Sequence, residues 1–491
     1  MRASGVLMPI FSLPSKYGIG TLGKEAYNFV DFLKKAGQTY WQILPLGVTG
    51  FGDSPYQCYS AFAGNPYFID LEMLCEDGYL SKEYVESFDW QDNDKVDYET
   101  LNKNRYCVLR KAYSVFKNEK PLDFKKFETE NKFWLQDFAL YFALKDYHNG
   151  ASFDCWEEDF KNRDAKALKK AEKDFADDIG FYKMVQYLFF KQWFKLKNYA
   201  NQNGVYIIGD IPIYVALDSA DVWSNPSQFQ LDENLAPKAV AGCPPDAFSE
   251  DGQLWGNPLY DWKKMKADGY SWWTERISNA LKVYDTVRID HFRAFSAYFS
   301  IPAGDETAKN GKWVKGPGRA IFEQFSKTLG KLNIIAEDLG TIDEPVRKLL
   351  KFTGFPGMKV LQFAFDPESE SSYLPHNIDK NCVVYTGTHD NDTAIGYMKS
   401  ASDMEIKFVR EYLRISEDES FNWAFIKSAM VTPADTVILQ MQDFLGLDNT
   451  ARINTPATTQ NNWQWRIDKG CINDWLAKII YDITALYFRL P

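Results

Sequence analysis

Three carboxylates follow short apolar runs in the second half of the chain. Asp290 ends TVRID, Glu337 ends NIIAE, and Asp390 ends the stretch CVVYTGTHD. Two carboxyl groups flanking one bond are what glycoside chemistry needs. One attacks or stabilises the anomeric carbon, and the other protonates the departing oxygen. A lone acidic residue after a strand is more often a helix cap. Here three occur in equivalent settings, and two adjoin a histidine (Asp290-His291 and His389-Asp390) in a chain whose histidines are His148, His291, His376 and His389. Arg288 and Asp290 share one face of an extended strand, and a cation there would hold Asp290 ionised, as a nucleophile requires. Glu337 must instead keep its proton near neutrality, which calls for a less polar pocket. A metal reading of His389-Asp390, as in HD-type phosphohydrolases, needs more histidine ligands than the chain supplies.

The elements that would position these groups are βα units. Thr39 to Leu46, Val205 to Asp210, Thr286 to Asp290, Asn333 to Asp338 and Cys382 to Asp390 read as strands that end in polar residues. Runs such as VYII and CVVY suit strands buried on both faces of a parallel sheet. Between them, Glu25 to Gly37 puts Ala26, Phe29, Val30 and Leu33 on one helical face and stops at glycine. A barrel of ~250 residues averages roughly 31 per unit. Asp290 and Glu337 stand 47 residues apart, and Glu337 and Asp390 stand 53 apart. The first step fits adjacent strands with an insertion, and the second fits a skipped strand. The expected fold is an α/β (β/α)8 TIM barrel with inserted, partly helical subdomains. Residues 1–491 would form one catalytic barrel domain, with 71–200 as a mostly helical insertion. A Pro/Gly/Trp-rich insertion, 218–273, would carry an active-site loop, with Cys243 to Tyr260 as a candidate lid.

Composition narrows the substrate. Aromatic residues make up 16% of the chain, enough to offer stacking faces for sugars, although large cores also use them. The net charge of −11 argues against nucleic acid, which requires a concentrated basic surface. Seven scattered cysteines, never spaced C-x-x-C, fit reduced thiols rather than a disulfide framework or a zinc site. The N-terminal stretch lacks a long apolar segment, so no signal peptide is expected, and no run is long enough to cross a membrane. The expected location is cytoplasmic. The sequon Asn391-Asp392-Thr393 then carries no meaning.

VRIDHFR, IIAEDLG and TGTHDN resemble conserved regions of the α-amylase superfamily. GDIPIYVALDSADVW, AGCPPDAFSEDGQLWGNPLYDW and SPYQCYSAFAGNPYFIDL narrow the resemblance to glycoside hydrolase family 77, the 4-α-glucanotransferases, or amylomaltases. The opening RASGVLMPIFSLPSKYGIGTLG and the closing ARINTPATTQNNWQWR are similar to that family's ends. The resemblance implies Asp290 as nucleophile, Glu337 as general acid/base and Asp390 as transition-state stabiliser. It implies sugar-binding roles for Ser54, Tyr56, Asp210, Trp255, Asn257, Arg288, His291, His389 and Asn454. Donors would be α-1,4-glucans and maltooligosaccharides, with glucose as an acceptor. No metal, organic cofactor, nucleic acid or membrane would take part, and the enzyme would be a monomer or small homo-oligomer. An α-amylase-type hydrolase shares the same three carboxylates and stays open as an alternative, as does an inactive glucan-binding relative. Ala457 stands where the family often has glycine, and Ile10-Phe11 replaces a more polar pair, which leaves local loop shape open.

Overall fold

A computed structural model describes residues 2–91, 93–245 and 249–491. Eight parallel strands form the core. In chain order they are Ala3–Leu7, Tyr40–Gln42, Tyr206–Ile211, Thr286–Ile289, Ile334–Ala336, Gly357–Val360, Cys382–Tyr385 and Thr436–Gln440. The sheet runs 6-7-8-1-2-3-4-5 in these ordinals, the cyclic order of a barrel. Its two ends meet across a seam. The Ala336 N–H donates to the Pro356 carbonyl at 2.9 Å, and the Asp338 carboxylate accepts from the Met358 N–H at 2.6 Å. Gly357 is required there, because a Cβ would lie 2.7 Å from that carboxylate.

The strands are short and almost wholly buried, as apolar β-branched runs between a packed interior and a helical jacket should be. The first helix, Lys24–Lys35, buries Ala26, Phe29, Val30 and Leu33, and Gly37 supplies the left-handed stop at φ 66°. Asp290 follows the fourth strand, Glu337 the fifth and Asp390 the seventh. The sixth is skipped, in agreement with the sequence spacing. The expected strand Thr39 to Leu46 shrinks to Tyr40–Gln42, because the residues beyond leave the sheet to build the mouth.

Helices fill the chain between the second and third strands, from Leu71–Glu76 to the 27-residue helix Ala176–Gln202. That long helix returns to the barrel, where the Trp193 indole donates to the Val283 carbonyl at 3.0 Å. The segment between the third and fourth strands is less irregular than its Pro/Gly content suggested. Ala239–Cys243 and Gln253–Pro258 pair antiparallel, and Ala297–Pro302 and Lys312–Lys315 extend them to a four-stranded sheet. Half of this sheet comes from beyond the fourth strand, a long-range pairing that local pattern cannot reveal. Residues 246–248 of the candidate lid lie outside the described residues. The distal end of that lid is fixed, since Tyr260 is buried and its hydroxyl donates to the Ile213 carbonyl at 2.7 Å.

Candidate active site

The third and fourth strands pair Asp210 directly with Arg288. The Arg288 guanidinium is buried and forked. It donates to Asp210 Oδ2 at 2.6 Å and to Asp290 Oδ1 at 3.1 Å. The Tyr56 hydroxyl donates to the same Asp210 oxygen at 2.6 Å. Gly209 keeps this strand close to its neighbour, because a Cβ there would strike the Tyr284 ring at 2.1 Å.

Glu337 is tied by backbone donors. The N–H of His291 reaches Oε2 at 2.7 Å, and the N–H of Leu339 reaches Oε1 at 2.7 Å. His291 makes its contact from a left-handed conformation, φ 53°, which a non-glycine residue adopts only at a cost. The turn therefore binds the residue after Asp290 to the side chain of Glu337. Burial, assisted by the negative charge of Asp290, pushes the Glu337 carboxyl up to about 8 despite Arg288 and these donors. Burial also raises Asp290, to about 6, while Arg288 opposes the rise. Arg288 acts on Asp290 in the expected direction, toward the ionised form, but desolvation outweighs it. The order is still that of an ionised carboxylate beside a protonated one near neutrality. Asp290 is enclosed by protein yet keeps 28% of its side chain open toward the mouth.

Asp390 is set differently. Burial would raise its pKa, but the charge and hydrogen bond of His389, the Asn454 amide and the charge of Arg288 together bring it down to about 2. His389 Nε2 lies 3.3 Å from Oδ2, and Asn454 Nδ2 donates to Oδ1 at 2.6 Å. His291 is held neutral, its pKa pushed down to about 3 by burial and by Arg293.

Aromatic rings wall the mouth. Tyr56 stacks on His389 at 5.1 Å and 12°, and Trp255 meets His291 edge-on at 4.9 Å. Asp210, Arg288, Tyr56, His291, His389, Asn454 and Trp255 thus converge with the three carboxylates. Ser54 and Asn257 are engaged with the surrounding loops. Ser54 Oγ accepts from the Tyr56 N–H at 3.2 Å, and Asn257 donates to the Val215 carbonyl at 2.8 Å while accepting from Gln57 at 3.1 Å. Sequence reasoning missed Arg452 and Trp463. Arg452 donates to the Asp390 carbonyl at 2.6 Å and pairs with Asp392. Trp463 packs near both Tyr56 and His389, with centroids at 5.8 and 6.0 Å. Both lie in the closing segment, where nothing local distinguishes them from an ordinary surface cation and an ordinary core aromatic.

This constellation can cleave and remake a glycosidic bond. The profile of the glycoside hydrolase family 77 4-alpha-glucanotransferases matches residues 8–471. The chain belongs to that family. The 4-alpha-glucanotransferase of Clostridium butyricum is 50% identical across 98% of this chain and all of its own length. That of Thermus thermophilus is 45% identical across 96% of this chain and 95% of its own. The amylomaltase of Streptococcus agalactiae, solved in complex with acarbose, superposes with a TM-score of 0.98 at 42% identity, with both chains fully covered. The amylomaltase of Corynebacterium glutamicum, at 19% identity and a TM-score of 0.79 over 74% of its own chain and all of this one, shares the fold. The chain is therefore a 4-alpha-glucan-transferring enzyme built on a TIM barrel. Among the described residues no helix is long and apolar enough to cross a membrane.

Proposed function

We propose that this enzyme transfers α-1,4-glucan segments by double displacement with retention, and that Asp290, Glu337 and Asp390 carry the chemistry. The observation that carries this reading is the different setting of the three carboxyls: Asp290 faces the Arg288 guanidinium at 3.1 Å, Glu337 is buried on two backbone N–H donors, and Asp390 is held by His389 and Asn454. Burial pushes Glu337 up the further of the neighbouring pair.

In the first step a carboxylate oxygen of Asp290 bonds to the anomeric carbon as the bond to the glycosidic oxygen breaks. Glu337 gives its proton to that oxygen, and the shortened chain leaves as an alcohol. Asp390, held anionic, faces the positive charge that develops on the ring. In the second step Glu337 takes the proton of an acceptor 4-hydroxyl. The new bond displaces Asp290, and two inversions restore the α configuration. Retention calls for the two carboxyl groups to stand ~5–5.5 Å apart. Transfer wins over hydrolysis when sugar reaches the intermediate before water, and the aromatic walls of Tyr56, Trp255 and Trp463 favour sugar stacking there.

Maltotriose tests this reading. A ladder of longer maltooligosaccharides plus glucose, at constant reducing ends and with α-anomeric product first, is expected. Rising reducing ends would indicate a hydrolase, and β product would overturn retention. Asp290→Asn should lose nearly all turnover yet still bind, whereas turnover that survives the change would remove Asp290 from the mechanism.

A further inference from the structure

A second cavity of about 190 Å³ lies outside the barrel mouth, between the helices Lys132–Tyr147 and Ser271–Val283. At ~15 Å³ for each water position this is room for roughly a dozen atoms of a polar guest, about the heavy-atom content of one hexose. Phe62, Phe133 and Trp272 line it, and Phe62 meets the other two edge-on at 5.2 and 6.1 Å. Phe133 is 44% exposed at the rim, so its ring is open to a guest.

The polar lining is acceptor-rich. Asp221 lies buried on the floor, Glu275 is exposed on the rim, and the buried side-chain oxygen of Gln228 has no hydrogen-bond partner. The Gln228 amide nitrogen is already committed to Asp268 at 2.8 Å, which fixes the orphaned oxygen as an acceptor. A buried acceptor without a donor is unfavourable, and a guest hydroxyl would satisfy this one. Aromatic faces beside carboxylate and amide acceptors suit a neutral polyol that carries many O–H donors. The acidic lining disfavours a phosphate or another anion.

We propose that this cavity is a non-catalytic site for one glucose unit of an α-glucan. The choice of glucan over other sugars rests on the donor proposed above. The site is joined to the mouth through one segment. Ala61 N–H donates to Asp221 at 2.7 Å, and Ala220 N–H donates to the Tyr59 carbonyl at 2.8 Å. Tyr56, which holds Asp210, lies six residues before Phe62 on that same segment, at most ~22 Å along the chain. A glucan held here is kept near the active site.

The test counts maltotriose sites by calorimetry on full-length Asp290→Asn protein, alone and combined with Phe133→Ala or Glu275→Gln. The Phe133 and Glu275 side chains lie at the rim, so the fold should survive, and circular dichroism checks that it does. Two sites per chain are expected, with one weakened about two- to tenfold by either added change. In the otherwise unaltered enzyme, Phe133→Ala should lower the amylose-to-maltotriose ratio of kcat/KM by a similar factor. A single site indifferent to both changes overturns the proposal and leaves the active-site reading standing. No binding at all overturns both. A second site that takes spermidine but not maltotriose would show that the acidic, aromatic cavity selects cations, which also overturns it.

Discussion

The Arg288 guanidinium and the Asp210 carboxylate meet at 2.6 Å across adjacent barrel strands, with 4% and 0% of their side chains exposed. Removing one partner of such a pair costs about 3–5 kcal/mol, because the other charge stays buried. The same pair sets the ionisation of Asp290, which Arg288 lowers and Asp210 raises. Asp210→Asn should therefore move the acid limb of kcat/KM downward, and Arg288→Gln should move it upward. Both should lower the melting temperature. Shifts in the same direction for the two variants would rule out this charge relay.

The pH profile of the unaltered enzyme follows from the proposed catalytic pair. Asp290 must be ionised and Glu337 protonated, and burial raises the two carboxyls to about 6 and about 8. A bell with limbs near these values is expected for kcat/KM, the limbs belonging to the pair as a unit. Asp390, with its pKa down at about 2, contributes no limb in that range. A profile flat from pH 5 to 9 would contradict the assignment.

Arg452 holds the loop of Asp390 in place. It donates to the Asp390 carbonyl at 2.6 Å and to the Asn454 carbonyl at 2.8 Å, and Asn454 in turn donates to the Asp390 carboxylate at 2.6 Å. Losing charge-assisted bonds of this kind is worth about 1.5–3 kcal/mol each. Arg452→Ala should cut kcat and kcat/KM together by about 10- to 100-fold with KM little changed, the signature of an interaction made in the transition state. A rise in KM at constant kcat would assign Arg452 to ground-state binding instead. Because the change also leaves Asp392 without its cation, Arg452→Gln with Asp392→Asn serves as the charge-balanced control, and it should lose kcat as well.

Ala457 occupies a left-handed conformation, φ 61°, at an exposed position. The strain of ~1–2 kcal/mol is one that glycine avoids, while glycine loses about 0.4–1 kcal/mol through the freer unfolded chain. Ala457→Gly should therefore raise the melting temperature slightly and leave kcat within about twofold. A clear drop in stability would mean that the conformation is not strained. Ile10 and Phe11, the other unusual pair, are simply buried, at 2% and 4% exposure, so packing accounts for their apolar character.

Local pattern carried the strand ends. A doubly buried parallel strand must be an unbroken apolar run, and the polar residue that stops it is visible in one dimension. For this reason TVRID, NIIAE and CVVYTGTHD display three carboxylates, and their spacing orders them around a barrel. The first, sixth and eighth strands do not stand out in the sequence, because a buried run such as VILQ looks the same in a helix. The antiparallel sheet was also invisible, since its strands pair across the fourth barrel strand.

The sequence by itself determined the residue types, their spacing and therefore the class of chemistry and the family. Tertiary structure decided how each carboxyl behaves. Desolvation and charge act through space, so Glu337 is pushed up by its burial beside Asp290, which comes from the neighbouring strand, and Asp390 is held down by its neighbour His389 together with Asn454 and Arg288, which arrive from other segments. Arg452 and Trp463 acquired their places in the same way. Their contacts lie about 60 residues or more away along the chain, a separation that folding closes and no local periodicity records.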